Sequence, residues 1–205
     1  MNEPDVDLVV EHAVRDALVE HAREGLTAPD GPVEVCGVLA GRRPKSDDGV
    51  PGGRTTGADV EPRSDVEPRS DVEPRSDVEP GAITPDSGDT PGGSPGRPTR
   101  VTESRRVPNV ATPARTRYEL DPAATVAAID AIEAAGLDHV GFYHSHPDGP
   151  LAPSDVDRAA AQWPDRVYAI VDPRAAGDDD PAAGLGAWRW TGESFEPLSI
   201  RIADE

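Results

Sequence analysis

The stretch HVGFYHSHP, residues 139–147, is predicted to be a buried strand that runs into a loop at Pro147. His144 and His146 are two residues apart, so on an extended chain both imidazoles leave the same face while Ser145 points away. Two imidazoles placed in this way can bind one metal ion. On its own, however, an H-x-H pair more often consists of surface or packing histidines.

The residues that follow offer a third ligand. Ser154 and Asp157 form an S-x-x-D pattern, in which Ser154 is predicted to cap a helix and Asp157 to lie in its first turn. A helix cap alone would explain the pattern. A capped turn also holds a carboxylate rigidly, and two neutral imidazoles with one carboxylate leave the fourth position of a zinc ion open, as in catalytic sites. Both interpretations stay open at this point.

Outward from this stretch, predicted helices and strands alternate along the chain. Residue 121 suits a helix N-cap and a proline follows it, whereas β-branched runs indicate strands. The predicted helices cover 8–23, 122–135 and 154–163, and the predicted strands cover 32–41, 115–120, 139–146, 166–172, 187–190 and part of 194–202. Folded sequence is expected to resume near 100–107 after a long interruption. This order predicts an α/β (α+β) fold, in which helices flank a mixed sheet.

One long segment contains almost nothing that could fill a core. A six-residue repeat of the SDVEPR type begins at Asp59, recurs at Asp65 and Asp71, and begins again at Asp77. Each unit has one valine, and its proline lacks a donor for a strand ladder, so the repeats bury too little surface to offset chain ordering. We predict a disordered acidic insertion over 44–104, acting as a spacer, within one domain formed by 1–43 and 105–205.

The charge of the chain limits its partners. The formal net charge is −19, from 39 acidic and 20 basic residues. Such acidity argues against nucleic acid or an anionic membrane as the main partner, and it suggests a halophilic source, unless it resides mainly in the insertion. The chain has no signal-peptide pattern at its start and no apolar run of roughly 18 residues, so we expect a cytoplasmic protein.

Two separated motifs resemble those of a known family. The string H-S-H-P-x6-S-x-x-D, from His144 to Asp157, resembles the signature of the JAMM/MPN+ metalloproteases. PVEVCGVLAG, residues 32–41, matches the P-x-E-x-x-G-x-L-x-G context of that family's glutamate, which is Glu34 here. The resemblance extends over roughly 8–202, with the insertion as its one interruption. It implies a JAMM/MPN-like mixed sheet flanked by helices and a desampylase-like activity. Together with the acidity of the chain, it suggests a protein of a halophilic archaeon.

The resemblance also implies a role for each motif residue. His144, His146 and Asp157 would bind one Zn²⁺ per chain, and Glu34 would act as the general base. Ser154 would help to stabilise the oxyanion of the tetrahedral intermediate. Independently of the family, a lone glutamate in an apolar strand is expensive to bury, which points to a function for Glu34.

The family's substrates are ubiquitin-like modifier proteins and their conjugates, cleaved at the amide bond after the C-terminal diglycine. Hydrolysis at the C-terminus of a sulfur-carrier protein and a non-catalytic MPN scaffold are the alternatives, and the scaffold would require a missing motif residue. The RadC-like proteins, which are linked to DNA repair, share an H-x-H-P motif. Ser145 in place of their usual asparagine and the acidity of the chain disfavour that family.

Other polar and aromatic residues are weaker candidates. Asp148 and Asp155 lie near the motif but outside it, and Cys36 is expected to be a small core residue on the same face as Glu34. We expect surface or packing positions for the remaining histidines and core positions for the tryptophans: His12, His21, His139, Trp163, Trp188 and Trp190.

Overall fold

The computed structural model describes residues 6–44, 97–175, 180 and 182–203. The elements in these residues are, in chain order, β1 (Leu8–Glu11), α1 (His12–Leu26), β2 (Cys36–Arg42), β3 (Thr99–Val107), α2 (Pro122–Ala134), β4 (Asp138–Ser145), α3 (Asp155–Ala160), β5 (Val167–Val171), β6 (Leu185–Trp190), β7 (Phe195–Pro197) and β8 (Ile200–Ala203). The strands form one eight-stranded mixed sheet in the order β7-β6-β5-β4-β2-β3-β1-β8. The predicted class, a mixed sheet flanked by helices, is confirmed.

Both faces of the central strands are buried, because a helix covers each face. Leu18 of α1 packs in one apolar cluster with Leu39 and Tyr143, whereas Ile132 of α2 packs in a second cluster with Phe142. Since neighbouring residues of a strand point to opposite faces, the two clusters lie on opposite sides of the sheet. Strands covered on both faces are continuously apolar, as the all-buried VYAIV of β5 illustrates.

Close packing around β2 explains why the glutamate motif has a glycine at position 37. A Cβ atom at Gly37 would collide with the carbonyl oxygen of Arg105 on β3 and with the ring of Tyr143 on β4. The ring of Tyr143 therefore occupies the space that a side chain would need, and its hydroxyl bonds to His21 Nδ1 at 2.9 Å. The lack of a side chain at Gly37 thus allows β2 to lie between β3 and β4, near the end of β4 that precedes His146.

Four predictions about helices and strands were wrong. Residues 8–11 form strand β1, not the start of a helix, because they pair in parallel with both β3 and β8. Residues 115–120 form no strand and make only an isolated bridge between Asn109 and Leu120. The strand predicted from residue 32 begins at Cys36, and the helix after Ser154 ends at Ala160, before Pro164.

The predicted insertion is described only at its ends. Strand β3 begins at Thr99, so residues 99–104 belong to the sheet and not to a disordered segment. Residues 45–96, which include all of the repeats, lie outside the described residues.

The tryptophan prediction was also wrong in part. Trp190 is buried, but Trp163 is 44% exposed. Because α3 is short, Trp163 lies in the connection that follows it, where its ring contacts the edge of His139. His139 is buried and packs against Phe142, as expected for a packing histidine. No helix among the described residues is both long and apolar enough to cross a membrane.

Candidate metal and catalytic site

The end of β4 carries the two motif histidines. His144 pairs with Ile170 in the parallel ladder to β5, and β4 ends at Ser145. The backbone N–H of His146 still donates to the carbonyl oxygen of Val171, at 2.9 Å, so the extended conformation continues for one residue beyond the strand. Both imidazoles therefore leave the same face, as their spacing predicts.

The carboxylate of Asp157, a residue of α3, lies close to both histidine rings. The Nε2 atoms of His144 and His146 are 3.0 Å apart. Asp157 Oδ1 lies 3.2 Å from His144 Nε2, and its Oδ2 lies 3.4 Å from His146 Nε2. All three residues are buried, and their candidate ligand atoms lie within 4.8 Å of one another. Two imidazole nitrogens and one carboxylate facing a common point are a donor set that fits a zinc ion with an open fourth position.

Ser154 and Asp157 hold each other in a capping box. The hydroxyl of Ser154 accepts a hydrogen bond from the backbone N–H of Asp157 at 3.2 Å. In return, the backbone N–H and the hydroxyl of Ser154 each donate to Asp157 Oδ2 at 2.7 Å. Burial opposes ionisation of Asp157, but the hydrogen bonds from His144, His146 and Ser154 outweigh it, so the pKa of the carboxyl lies well below its usual range. The pattern is therefore a helix cap that also fixes a carboxylate beside the histidines.

The histidine rings are oriented by groups behind them. His146 Nδ1 lies 2.7 Å from the carbonyl oxygen of Pro150, so this nitrogen is a donor, and in the neutral imidazole Nε2 carries the lone pair that a metal would bind. The ring of Tyr118 stacks on His144, with 4.1 Å between ring centroids and 20° between planes. Burial lowers the pKa of His144, which favours the neutral imidazole that metals bind.

Glu34 lies just before β2 and is 7% exposed. The next residue, Val35, exchanges hydrogen bonds with Ser145: its N–H donates to the serine hydroxyl at 3.0 Å, and its carbonyl accepts the serine N–H at 2.9 Å. Burial raises the pKa of Glu34 to about 7, with a smaller opposing effect of His146 and a supporting one of Asp157. A carboxyl with a pKa near 7 can both accept and return a proton at neutral pH.

The weaker candidates, Asp148, Asp155 and Cys36, do not belong to this cluster. Asp148 is exposed and forms ion pairs with Arg115 at 2.7 Å and with Arg174 at 3.0 Å. Asp155 is an exposed residue of the first turn of α3. Cys36 is fully buried with its thiol donating to the carbonyl oxygen of Val107, and burial raises its pKa to about 12, so it is a core residue as expected.

Sequence reasoning missed two residues that contact the site. Tyr118 stacks on His144, and Asn109 donates to the backbone carbonyl of Glu34 at 2.9 Å. Both lie in 108–120, where the sequence indicates at most a short strand, and nothing local to them points to the site. Their contacts depend on how this segment lies across the end of the sheet.

Comparison with known proteins agrees with this geometry. A family model, described as prokaryotic homologs of the JAB domain, matches residues 11–190. The chain belongs to this family. This prokaryotic JAB protein is 35% identical over 188 residues to the "Desampylase" of Haloferax volcanii, across 92% of the present chain and 91% of that protein.

Two further similarities are more limited. The "Probable TtuB-protein conjugate cleaving protease" of Thermus thermophilus is 44% identical over 57 residues, which are 28% of the prokaryotic JAB protein and 38% of that protease. A solution structure of a Desulfitobacterium hafniense protein superposes with a TM-score of 0.60 at 18% identity, covering 97% of the present chain and 94% of that chain. The latter similarity concerns the fold alone.

Proposed function

We propose that this prokaryotic JAB protein is a metal-dependent isopeptidase that hydrolyses the amide bond after the C-terminal diglycine of ubiquitin-like modifiers. The observation that carries the proposal is the buried cluster of His144, His146 and Asp157, together with the buried Glu34, whose carboxyl interacts electrostatically with His146 and Asp157. The names of the two relatives, a desampylase and a protease that cleaves TtuB-protein conjugates, support this substrate class. All motif residues are present, which disfavours the scaffold alternative.

His144, His146 and Asp157 are the residues that would hold the metal, one ion per chain. Their imidazoles, which bind a metal in the deprotonated form, and their single carboxylate fit Zn²⁺, and the carbonyl oxygen of Pro150 and the capping hydroxyl of Ser154 support two of the three ligands. A zinc ion bound there supplies Lewis acidity, which activates water and polarises a carbonyl group. Zinc as the metal is part of the proposal.

Glu34 has the proton-transfer role. With its pKa at about 7, its carboxylate accepts a proton from the attacking water and then returns it to the leaving lysine amine. Ser154 holds Asp157, since its hydroxyl donates to Oδ2 at 2.7 Å. The role of Ser154 at the oxyanion stays a prediction. So do the sulfur-carrier alternative, the cytoplasmic location, the halophilic source and the absence of nucleic-acid and membrane partners.

The test compares wild type with Glu34→Gln, which keeps the side-chain shape but cannot accept the proton. We expect one equivalent of zinc in both proteins by mass spectrometry. Turnover of a diglycine-linked conjugate should fall by about 10²- to 10⁴-fold in the variant. Glu133→Gln, a change at an exposed position on α2, is the matched control and should retain full activity.

Two outcomes would contradict the proposal. Full turnover by the zinc-loaded Glu34→Gln variant would remove Glu34 from the mechanism. If the wild-type chain bound no metal even when zinc was supplied, the scaffold alternative would replace the hydrolase.

A further inference from the structure

Asn109 connects the segment 108–120 to the backbone of Glu34. Its Nδ2 donates to the carbonyl oxygens of Glu34, at 2.9 Å, and Arg117, at 3.1 Å. Its Oδ1 accepts the backbone N–H groups of Ala111 and Glu119, both at 3.0 Å. An asparagine side chain has two N–H donors and two acceptor lone pairs, so Asn109 uses all of them.

The orientation of this amide is fixed by its partners. Both groups near Nδ2 are carbonyl oxygens, which can only accept, and both groups near Oδ1 are N–H groups, which can only donate. A rotation of the amide by 180° would oppose all four contacts. Asn109 therefore joins the start of the segment, at Ala111, to its end, at Arg117 and Glu119, and ties both to Glu34.

Glu34 depends on this segment because it lies outside the sheet ladder. Strand β2 begins only at Cys36, so the backbone of Glu34 has no strand partner. Its N–H donates instead to the carbonyl oxygen of Ala114, at 2.7 Å, and its carbonyl accepts from Asn109. Both bonds come from 108–120, which therefore fixes the backbone of Glu34 on the side away from β4.

We propose that Asn109 is a positioning residue for Glu34, acting through hydrogen bonds that fix the glutamate's backbone to the segment 108–120. This inference rests on the proposed function, in which Glu34 transfers the proton. The four hydrogen bonds of Asn109 reach none of the metal-ligand candidates, which are supported instead by Pro150 and Ser154. Its loss should therefore affect proton transfer and leave metal binding intact.

The expected effect is on kcat. A misplacement of about 1 Å in a reacting group can cost about 10²-fold in rate, so we expect Asn109→Ala to lower kcat by about 10- to 100-fold. KM should stay within about twofold, because a change that acts through Glu34 removes no ground-state contact with the substrate. Zinc content should equal that of wild type.

Two further variants of Asn109 test the role of its donors and can be used if Asn109→Ala does not fold. Asn109→Asp has the same shape and keeps the acceptors for Ala111 and Glu119, but it lacks both donors, the one that faces the carbonyl of Glu34 and the one that faces the carbonyl of Arg117. We expect it to lower kcat as the alanine variant does. Asn109→Ser is a milder change that retains one hydroxyl donor, and the two variants provide the same comparison if Asn109→Ala does not fold.

A matched control lies in the β6–β7 turn. The hydroxyl of Thr191 accepts the N–H groups of Glu193, at 3.3 Å, and Ser194, at 3.0 Å, so it closes a turn as Asn109 closes its segment. Thr191→Ala should lower the melting temperature and leave kcat unchanged. A loss of kcat as large as that of Asn109→Ala would show that general destabilisation is the cause, and the inference would be wrong.

The decisive measurement is a double-mutant cycle with Glu34→Gln, read under single-turnover conditions. If Asn109 acts through Glu34, then Asn109→Ala lowers the wild-type rate but causes no further loss in the Glu34→Gln background. An equal loss in both backgrounds would overturn the inference. Unchanged kcat in a folded, zinc-loaded Asn109 variant would overturn it as well.

A second readout needs no substrate. The amide hydrogen of Glu34 should exchange with solvent at least about tenfold faster in Asn109→Asp than in wild type, while the amides of β2 keep their protection. Equal exchange at Glu34 in the two proteins would contradict the inference. If the proposed function is wrong, wild type is inactive but the exchange result still holds. If only the role of Asn109 is wrong, wild type is active and neither readout changes.

Discussion

Substitution of Ser154 by alanine removes two interactions that converge on Asp157. The hydroxyl accepts the N–H of Asp157 at 3.2 Å and donates to its Oδ2 at 2.7 Å, while the backbone N–H of Ser154 continues to donate to Oδ2. Loss of an N-cap costs about 1 kcal/mol of stability. The hydroxyl bond to the ionised carboxylate adds about 1 kcal/mol, which is less than is usual for a charged group because Ser154 is exposed.

These magnitudes give two measurable results. A loss of about 2 kcal/mol should lower the melting temperature of the metal-free protein by roughly 4–8 °C for a chain of this size. Loss of a group that orients a metal ligand typically weakens metal binding by about 10- to 100-fold, or about 1.4–2.8 kcal/mol. Zinc affinity is measured by titration against a competing chelator, and the melting temperature by calorimetry.

The matched control is the N-cap of another helix. Asp121 caps α2 by accepting the N–H of Ala124 at 2.7 Å, and α2 carries no candidate metal ligand. Asp121→Ala should therefore lower stability by about 1 kcal/mol and leave zinc affinity unchanged. Ser154→Thr retains the hydroxyl and should restore most of the affinity. If Ser154→Ala binds zinc as tightly as Asp121→Ala does, the hydroxyl does not support the ligand and the reasoning is refuted.

Three further results follow from the described contacts. Burial lowers the pKa of His139 to about 4, so between pH 6.5 and 4 the unfolded chain takes up a proton at this position and the folded protein does not. The contribution of His139 to stability is complete above pH 6.5 and falls by about 2 kcal/mol by pH 5, so His139→Phe should make the melting temperature less sensitive to acid. Gly141→Ala places a methyl group against the carbonyl oxygen of Val167, which is backbone and cannot yield, so urea denaturation should show a loss of about 3 kcal/mol or more. Asp157→Asn removes the ligand charge and should abolish stoichiometric zinc binding, as measured by mass spectrometry.

Each of these results has an outcome that would contradict it. An equal change in melting temperature between pH 7 and pH 5 in wild type and in His139→Phe would mean that His139 is not held neutral by burial. Gly136→Ala is the control for Gly141, because Gly136 has φ of +72° but open space around it; its cost of about 1–2 kcal/mol reflects backbone strain alone. An equal or smaller loss for Gly141→Ala would contradict the clash. One equivalent of zinc in Asp157→Asn would place the ion elsewhere.

The sequence alone determined the parts of this protein that depend on neighbouring residues. The period of two along β4 puts His144 and His146 on one face, and the capping preference of Ser154 puts Asp157 in the first turn of α3. Gly37 belongs to the motif of Glu34, and the spacing of that motif was enough to identify the candidate base. In each case the informative residues lie within about one turn or a few strand positions of each other.

The tertiary structure alone decided what depends on distant segments. Residues 8–10, LVV, fit either a helix or a strand, and pairing with β3 and β8 makes them a strand. The segment 108–120 has no local periodicity, yet it brings Tyr118 onto His144 and Asn109 onto Glu34. Such contacts are set by the order and register of the strands, which join residues far apart in the chain, and no short-range pattern encodes them.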